Sequence, residues 1–307
     1  MFEDQIRNNI NKTWVLLLGF IVFFTVLIYL LGYYFAELYG NRDLAFVFLV
    51  AALAFSIISS WTSYYYSDRI VLSSVGARPA DPAEHAQLFD LVEGLTIAAG
   101  TKASPKLYIM EDPSPNAFAT GRNPEHCAIV VTTGLLSMLK RDELEAVLAH
   151  ELSHIMNYDI LLATIISVLV GTVVLISHFF WRWMWWGGGR RRGGSGGGYA
   201  MIIILALTLL FMILAPIASQ LIQLAVSRKR EYLADASAVR LTRYPDALAN
   251  ALQKIAYSPA PVRNANKAVA HMFIEDPLKK PKKMSWLANL FSTHPPIEER
   301  IARIRAM

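Results

Sequence analysis

The chain has 307 residues, of which 54% are hydrophobic and only 17% are charged. Soluble domains carry about 25% charged residues, and the apolar residues here lie in long blocks, so the composition indicates a membrane protein. The net charge of +5 suits anionic lipid headgroups. No aromatic-and-basic nucleic-acid motif is present, so we expect no nucleic-acid partner. Cys127 is the only cysteine, which excludes an internal disulfide and a thiolate zinc cluster.

Hydropathy divides the chain into four long apolar blocks separated by polar stretches. A helix needs about 20 residues to cross a bilayer, and we predict transmembrane helices at 14–35, 44–61, 160–181 and 199–225. A short loop joins the first two, so they form a predicted hairpin, and the last two form a second one. The first apolar run is too long for the core of a signal peptide, so we expect an uncleaved anchor.

The polar stretch between the two hairpins has the pattern of an α+β domain. Apolar residues at helical spacing predict a helix at 84–99, and short apolar runs predict strands at 106–110 and 127–133. A charged helix is predicted to begin near Arg141. The predicted fold is therefore a membrane α-helical protein with four transmembrane helices and a mostly helical α+β domain that contains a small β-sheet.

The charged helix contains the sequence HELSH at residues 150–154. His150 and His154 are four residues apart and share one face of the helix, so both imidazoles can reach one metal ion. Glu151 points beside that ion rather than at it. A general base must lie there to take a proton from water bound to zinc (Zn2+). The alternative is a pair of surface histidines on a helix.

A catalytic zinc site needs a third protein ligand and an open fourth position. The downstream glycine and histidine of the metzincin peptidases are missing, since Asn157 and Ile160 stand in their places. Glu231 can supply the third ligand, and Asp235, four residues later, or Asn157 can support a ligand histidine. Taken alone, the two carboxylates are more typical of a solvated helix face.

Topology favours Glu231 as the third ligand. His154 precedes the third predicted span, and Glu231 follows the fourth, each by about six residues. If both helices continue straight out of the membrane, each residue stands ~9 Å above the same surface. We therefore expect the carboxylate to meet the two histidines just outside the lipid.

The order of these features resembles the HtpX family of membrane-bound zinc metalloproteases and, more distantly, the CAAX prenyl proteases. The resemblance covers essentially the whole chain, with two spans on each side of the HELSH motif. That motif alone is shared by many peptidases, whereas the combination is specific. The matching residues are Asn116-Ala117-Phe118-Ala119, His150, Glu151, His154, Glu231-Tyr232, Ala234-Asp235 and His294-Pro295-Pro296.

The resemblance implies a gluzincin-like protease domain whose Zn2+ is held by His150, His154 and Glu231. It places the termini and this domain in the cytoplasm and the spans in the inner cell membrane. The implied division is an N-terminal transmembrane hairpin (1–65), a first part of the protease domain (66–159), a second hairpin (160–226) and a second part of the protease domain (227–307).

The resemblance also implies how substrate is held. Asn116–Ala119 would form an edge strand that binds an extended peptide through its backbone, and Asn116 and His294 would assist the oxyanion. His294 can equally be a helix-start residue beside Pro295. The implied substrates are unfolded or damaged membrane proteins in stress-related quality control, with cooperation from other membrane proteases.

Some features favour other interpretations. The arginines at 190–192 would lie outside the cell, against the positive-inside tendency, unless the second hairpin does not fully cross the membrane. An intramembrane protease would carry its zinc helix in the bilayer, but residues 140–145 before the motif are charged. A non-catalytic zinc-binding scaffold or chaperone needs no general base. A transporter needs ionisable residues inside its spans, where this chain has few.

Overall fold

The computed structural model describes residues 2–101, 103–187, 228–258, 269, 272–274 and 295–307. Three features discussed above lie outside the described residues: the fourth predicted span, the arginines at 190–192 and His294. The described part consists of long apolar helices, a small sheet and shorter helices around that sheet.

Two long helices, α1 (Phe2–Tyr39) and α2 (Asp43–Ser74), form the predicted N-terminal hairpin. Both are long and apolar enough to cross a membrane, with mean hydropathies of 2.5 and 2.3 in their candidate spans. Helix α2 continues past the predicted end of its span at residue 61, and its last turns pack against the sheet. Small side chains line its buried face and permit close helix packing; they are Ala52, Ser56, Ser60, Ser63 and Ser67.

The predicted zinc helix is α5 (Arg141–Met156), and α6 (Asp159–Gly187) covers the predicted third span. The two helices are bent by 83° relative to each other, so the condition of a straight continuation from the zinc helix into the third predicted span is not met. Asn157 ends α5, and Tyr158 then adopts a φ of 58°, in the left-handed region. Within the described ranges two helices qualify as spans, or three if this bent pair counts as one. Four spans therefore stay a prediction.

The four strands among the described residues are numbered β1 to β4 along the chain, with the bounds given at the end of this paragraph, and they form one sheet in the order β1-β2-β4-β3. Strands β2 and β4 are parallel, whereas β1 pairs with β2, and β3 with β4, in antiparallel fashion. The strand predicted at 106–110 is confirmed, and the one predicted at 127–133 begins and ends one residue earlier. The bounds are β1 Arg78–Pro79, β2 Lys106–Met110, β3 Ala117–Asn123 and β4 His126–Thr132.

Helix α5 packs against the sheet and against several of the shorter helices, and its apolar side chains form the centre of the core. The predicted helical periodicity is confirmed, because the apolar faces of α3 (Ala86–Ala99) and α5 are buried. Each fully buried leucine or valine contributes about 1.5–3 kcal/mol, so this packing holds α5 in place. The other helices are α3 (Ala86–Ala99), α4 (Thr133–Met138), α7 (Arg228–Thr242), α8 (Pro245–Ala256) and α9 (Ile297–Arg305).

The pairing of β3 with β4 depends on Gly121 of β3, which has a φ of 140° at a register shift between the two strands. A Cβ atom there would lie 2.7 Å from the Cα atom of Cys127, so Gly121→Ala combines backbone strain with a clash. We expect the substitution to lower the free energy of unfolding by more than about 1 kcal/mol.

The matched control for this prediction is Gly94→Ala, at an exposed helical position with open space around the new atom. Alanine has the higher helix propensity, so this variant should gain up to about 1 kcal/mol. Thermal unfolding of both variants in detergent tests this prediction. Equal melting temperatures for Gly121→Ala and Gly94→Ala would contradict the proposed strain at Gly121.

Candidate metal centre

Helix α5 places His150 and His154 one turn apart on the same face. Their ring centroids are 4.8 Å apart with the planes at 89°, and the two Nε2 atoms are 3.2 Å apart. The start of the helix is fixed by Glu143, whose carboxylate accepts a hydrogen bond from the Lys140 backbone N–H and pairs with Lys254 at 2.7 Å. The helix therefore presents two imidazole nitrogens to one point.

Helix α7 brings Glu231 to that same point. Its Oε1 atom lies 3.5 Å from His154 Nε2, and its Oε2 atom lies 3.8 Å from His150 Nε2. The candidate ligand atoms of the three residues all lie within 4.8 Å of one another. Tetrahedral zinc with bonds near 2.1 Å separates its ligand atoms by about 3.4 Å. The donor set and its spacing therefore fit a zinc ion.

Behind His150 lies a buried ion pair between Asp235 and Arg300. Asp235 Oδ1 is 3.0 Å from His150 Nδ1, and the Arg300 guanidinium donates to both carboxylate oxygens at 2.7 and 2.9 Å. Burial alone raises the pKa of Asp235, but the charge of Arg300 and the hydrogen bonds with His150 and Arg300 lower it to about 2. The ionised Asp235 faces the Nδ1 side of His150, so the opposite ring nitrogen, Nε2, is the one directed toward Glu231 and the candidate metal position.

Behind His154 lies Asp159, the first residue of α6. Its Oδ2 atom is 3.0 Å from His154 Nδ1. The side chain that supports this histidine is therefore Asp159, whereas Asn157 was predicted for that role. Asn157 instead accepts a hydrogen bond through its backbone carbonyl from Asn9 of α1. Asn9 also donates to Asp159, which ties the first membrane helix to this side of the site.

Glu151 is buried beside the two histidines and next to the edge of the sheet. Burial raises the pKa of its carboxyl group to about 7, while the charge of His154 and a hydrogen bond with the Ala119 backbone limit the rise. A carboxyl group that titrates near neutral pH suits proton transfer in both directions. Glu151 thus has the environment of a general base.

Strand β3 lies at one edge of the sheet that the described residues form, as predicted for Asn116–Ala119. Asn116 immediately precedes the strand, and its side-chain oxygen accepts a hydrogen bond from the Ala117 N–H at 3.1 Å. On the outer side of the strand, the Ala117 carbonyl accepts a hydrogen bond from the Ile274 N–H at 2.9 Å. Part of this edge is therefore paired with a short segment of the same chain.

Three polar residues around the site were missed by the sequence interpretation: Arg300, Asp159 and Asn9. A signal for Arg300 was available, because Ile297, Arg300 and Ile304 share the buried face of α9. Asn9 likewise extends the buried stripe of α1 that continues with Leu17. A polar residue on an otherwise apolar helix face is the pattern that points to both.

Comparison with known proteins gives a consistent family. The model of Peptidase family M48 matches residues 82–307. A protease HtpX homolog from Caldanaerobacter subterraneus subsp. tengcongensis is 44% identical over all of this chain and 98% of its own length. One from Streptococcus pneumoniae is 44% identical over the full length of both chains, and one from Dictyoglomus turgidum is 42% identical over 95% of its length.

Among solved structures, the crystal structure of S. mikatae Ste24p matches with a TM-score of 0.48 and 20% sequence identity. The match covers 91% of this chain but only 62% of that protein. The chain belongs to peptidase family M48 and, within that family, to the HtpX proteases.

Proposed function

We propose that this protease is a membrane-integrated zinc metalloendopeptidase with His150, His154 and Glu231 as metal ligands and Glu151 as general base. The observation that carries the proposal is the meeting of three side chains: the two Nε2 atoms are 3.2 Å apart and lie 3.5 and 3.8 Å from the two carboxylate oxygens of Glu231, with the buried carboxyl group of Glu151 beside them. A non-catalytic zinc scaffold is less consistent with this arrangement, because a structural site closes with four ligands and needs no base.

Zinc, when bound, polarises the scissile carbonyl and lowers the pKa of water to about 7. The chain's own residues supply the proton transfers. Glu151 accepts the proton of the attacking water and passes it to the leaving amine. Its hydrogen bond with the Ala119 backbone sets the orientation of the carboxylate relative to the edge strand. Asn116 is the proposed partner of the developing oxyanion, and His294 is a second proposed partner.

The substrate is proposed to bind as an extended strand along Asn116–Ala119, which reads backbone rather than sequence. Such a mode suits unfolded protein segments, whose backbone groups are free to pair. The Ala117 carbonyl is bonded to the Ile274 N–H, so a peptide that pairs with that carbonyl competes with Ile274.

Membrane proteins are proposed as substrates because of the angle between α5 and α6. If α6 crosses the bilayer, the 83° bend lays α5 and its two histidines along the membrane surface. A site at that level is within reach of segments that leave the lipid. The cytoplasmic orientation, the division at residues 65, 159 and 226, the role in quality control and the cooperation with other membrane proteases belong to this same proposal.

Replacing the general base separates chemistry from metal binding. Glu151→Gln should retain zinc and lower the cleavage rate of an unfolded protein by about 10²–10⁴-fold, the usual contribution of general acid–base catalysis. Glu145→Gln, on the same helix and half-buried, is the matched control and should cleave normally. Metal analysis and cleavage rates on purified protein check the prediction. Normal cleavage by Glu151→Gln would refute the role of this residue.

Replacing the third ligand tests the coordination. Glu231→Ala removes one of three protein ligands, so we expect zinc affinity to fall by more than ~100-fold, beyond the usual effect of losing a partner of a ligand. Glu298→Ala, at an exposed position in α9, should keep the affinity of the unmodified protein. Competition with a chelator measures both. Full zinc occupancy in Glu231→Ala would remove Glu231 from the ligand set.

Zinc uptake should depend on pH through His154. Burial lowers the pKa of this histidine in the metal-free protein, but the hydrogen bond with Asp159 and the charge of Glu231 raise it to about 9. Zinc needs the unprotonated nitrogen, so at pH 7 it must displace a proton. The apparent affinity should therefore rise about tenfold per pH unit from pH 7 and level off near pH 9.

The control for this pH dependence is Asp159→Asn, which removes the main hydrogen bond that raises the pKa of His154. In that variant the pH-dependent range should move to lower pH. Chelator competition between pH 6 and 10 measures both proteins. An affinity for zinc that is constant from pH 7 to pH 9 in the unmodified protein would contradict the prediction.

A further inference from the structure

A chain of hydrogen bonds leads from the metal centre into the first membrane helix. His154 Nδ1 lies 3.0 Å from Asp159 Oδ2, and the other oxygen of Asp159 accepts a hydrogen bond from Asn9 Nδ2 at 2.8 Å. Asn9 Nδ2 also donates to the Asn157 carbonyl at 3.1 Å, across the bend between α5 and α6. On the other side of the amide, Arg230 donates to Asn9 Oδ1 at 3.1 Å.

Both the NH2 group and the oxygen of the Asn9 amide are thereby hydrogen-bonded. Its NH2 group donates to two acceptors, and its oxygen accepts from a guanidinium that can only donate. These partners fix which side of the amide carries the oxygen. The side chain is 4% exposed, and a buried polar group left without its partner costs about 1–3 kcal/mol. The network therefore has one strongly preferred arrangement.

Two of the three partners of Asn9 lie next to a proposed ligand, one in space and one in sequence. Asp159 contacts His154, and Arg230 directly precedes Glu231 in α7. Arg230 also lies 3.6 Å from Asp159 Oδ1. A residue near the N-terminus thus links the carboxylate behind one ligand to the helix turn that carries another.

We propose that Asn9 is a positioning residue of the metal centre. By holding one oxygen of Asp159, it directs the other oxygen to Nδ1 of His154, which leaves Nε2 for the metal. Helix α1 then has two roles: it anchors the protein in the membrane, and it supplies a side chain that orients a residue of the metal centre. The inference rests on the proposed function, because it takes His154 as a metal ligand.

The docking of α1 on α6 has a separate, apolar basis. Leu17, Phe20 and Phe24 of α1 pack against Leu161, Ile165 and Leu169 of α6. This contact lies further along α1 than Asn9 and further along α6 than Asp159, and it contains no member of the hydrogen-bonded network. The two roles of α1, attachment and positioning, can therefore be separated by substitution.

The test uses the full-length protein in detergent with zinc and, in parallel, with cobalt(II). Asn9→Ala and the near-isosteric Asn9→Leu should both weaken zinc binding about tenfold, the low end of the usual effect of losing a partner of a metal ligand. Both should also change the visible absorption spectrum of the cobalt-loaded protein, which reports ligand geometry. Asn8→Ala, the exposed neighbour of the same type, should match the unmodified protein in both measurements.

A purely structural role is separated by two further variants. Phe20→Ala should lower the melting temperature through lost packing, yet leave zinc affinity and the cobalt spectrum unchanged. Asn9→Ala combined with Asp159→Asn should bind zinc no more weakly than Asp159→Asn alone, since Asn9 acts through Asp159.

Two results would overturn the inference: unmodified zinc affinity and cobalt spectrum in both Asn9 variants, or additive losses in the double variant. Failure of the proposed function is recognised separately. In that case the unmodified protein itself binds no zinc, or Glu231→Ala binds it normally.

Discussion

The buried ion pair of Asp235 with Arg300 holds together the helices on which the metal centre depends. Arg300 is fully buried, and an isolated charge at such a position is so unfavourable that it must be paired. Asp235 belongs to α7, which also carries Glu231, while Arg300 belongs to α9. The same carboxylate contacts His150 of α5. Breaking a buried pair of this kind costs about 3–5 kcal/mol. Any relative movement of α5, α7 and α9 that separated the pair would carry this cost, so the pair stabilises one relative position of the three helices.

The parts of this arrangement that could be predicted are those with a short-range pattern. Histidines four residues apart define one helix face whatever surrounds the helix, so His150 and His154 could be paired from sequence. The strand at 106–110 and the buried face of α3 follow from the alternation and spacing of apolar residues. The pairing of Glu231 with these histidines needed a further argument from topology, which took both helices as straight. The three residues do come together, although the 83° bend shows that one of those helices is not straight.

The parts that could not be predicted depend on contacts between distant segments. Tyr158 adopts a left-handed conformation that a residue other than glycine rarely takes, so nothing in the local sequence indicates the 83° bend. That bend brings Asp159, rather than Asn157, to His154. The contacts of Asn9 with Asp159 and Asn157 join residues about 150 positions apart, beyond the reach of any periodicity.

The bend also changes how membrane and catalytic parts of the chain relate to each other. Hydropathy divides the sequence near residues 65, 159 and 226, but the network around His154 takes Asn9 from the first segment, Asp159 from the boundary of the second and Arg230 from the last. A helix that leaves the bilayer straight would carry its histidines away from α1. Because α5 instead turns by 83°, the end of the zinc helix stays beside the start of α1, where an amide can bridge the two. The 83° bend is therefore also what lets the apolar helix α1 contribute to the proposed metal centre.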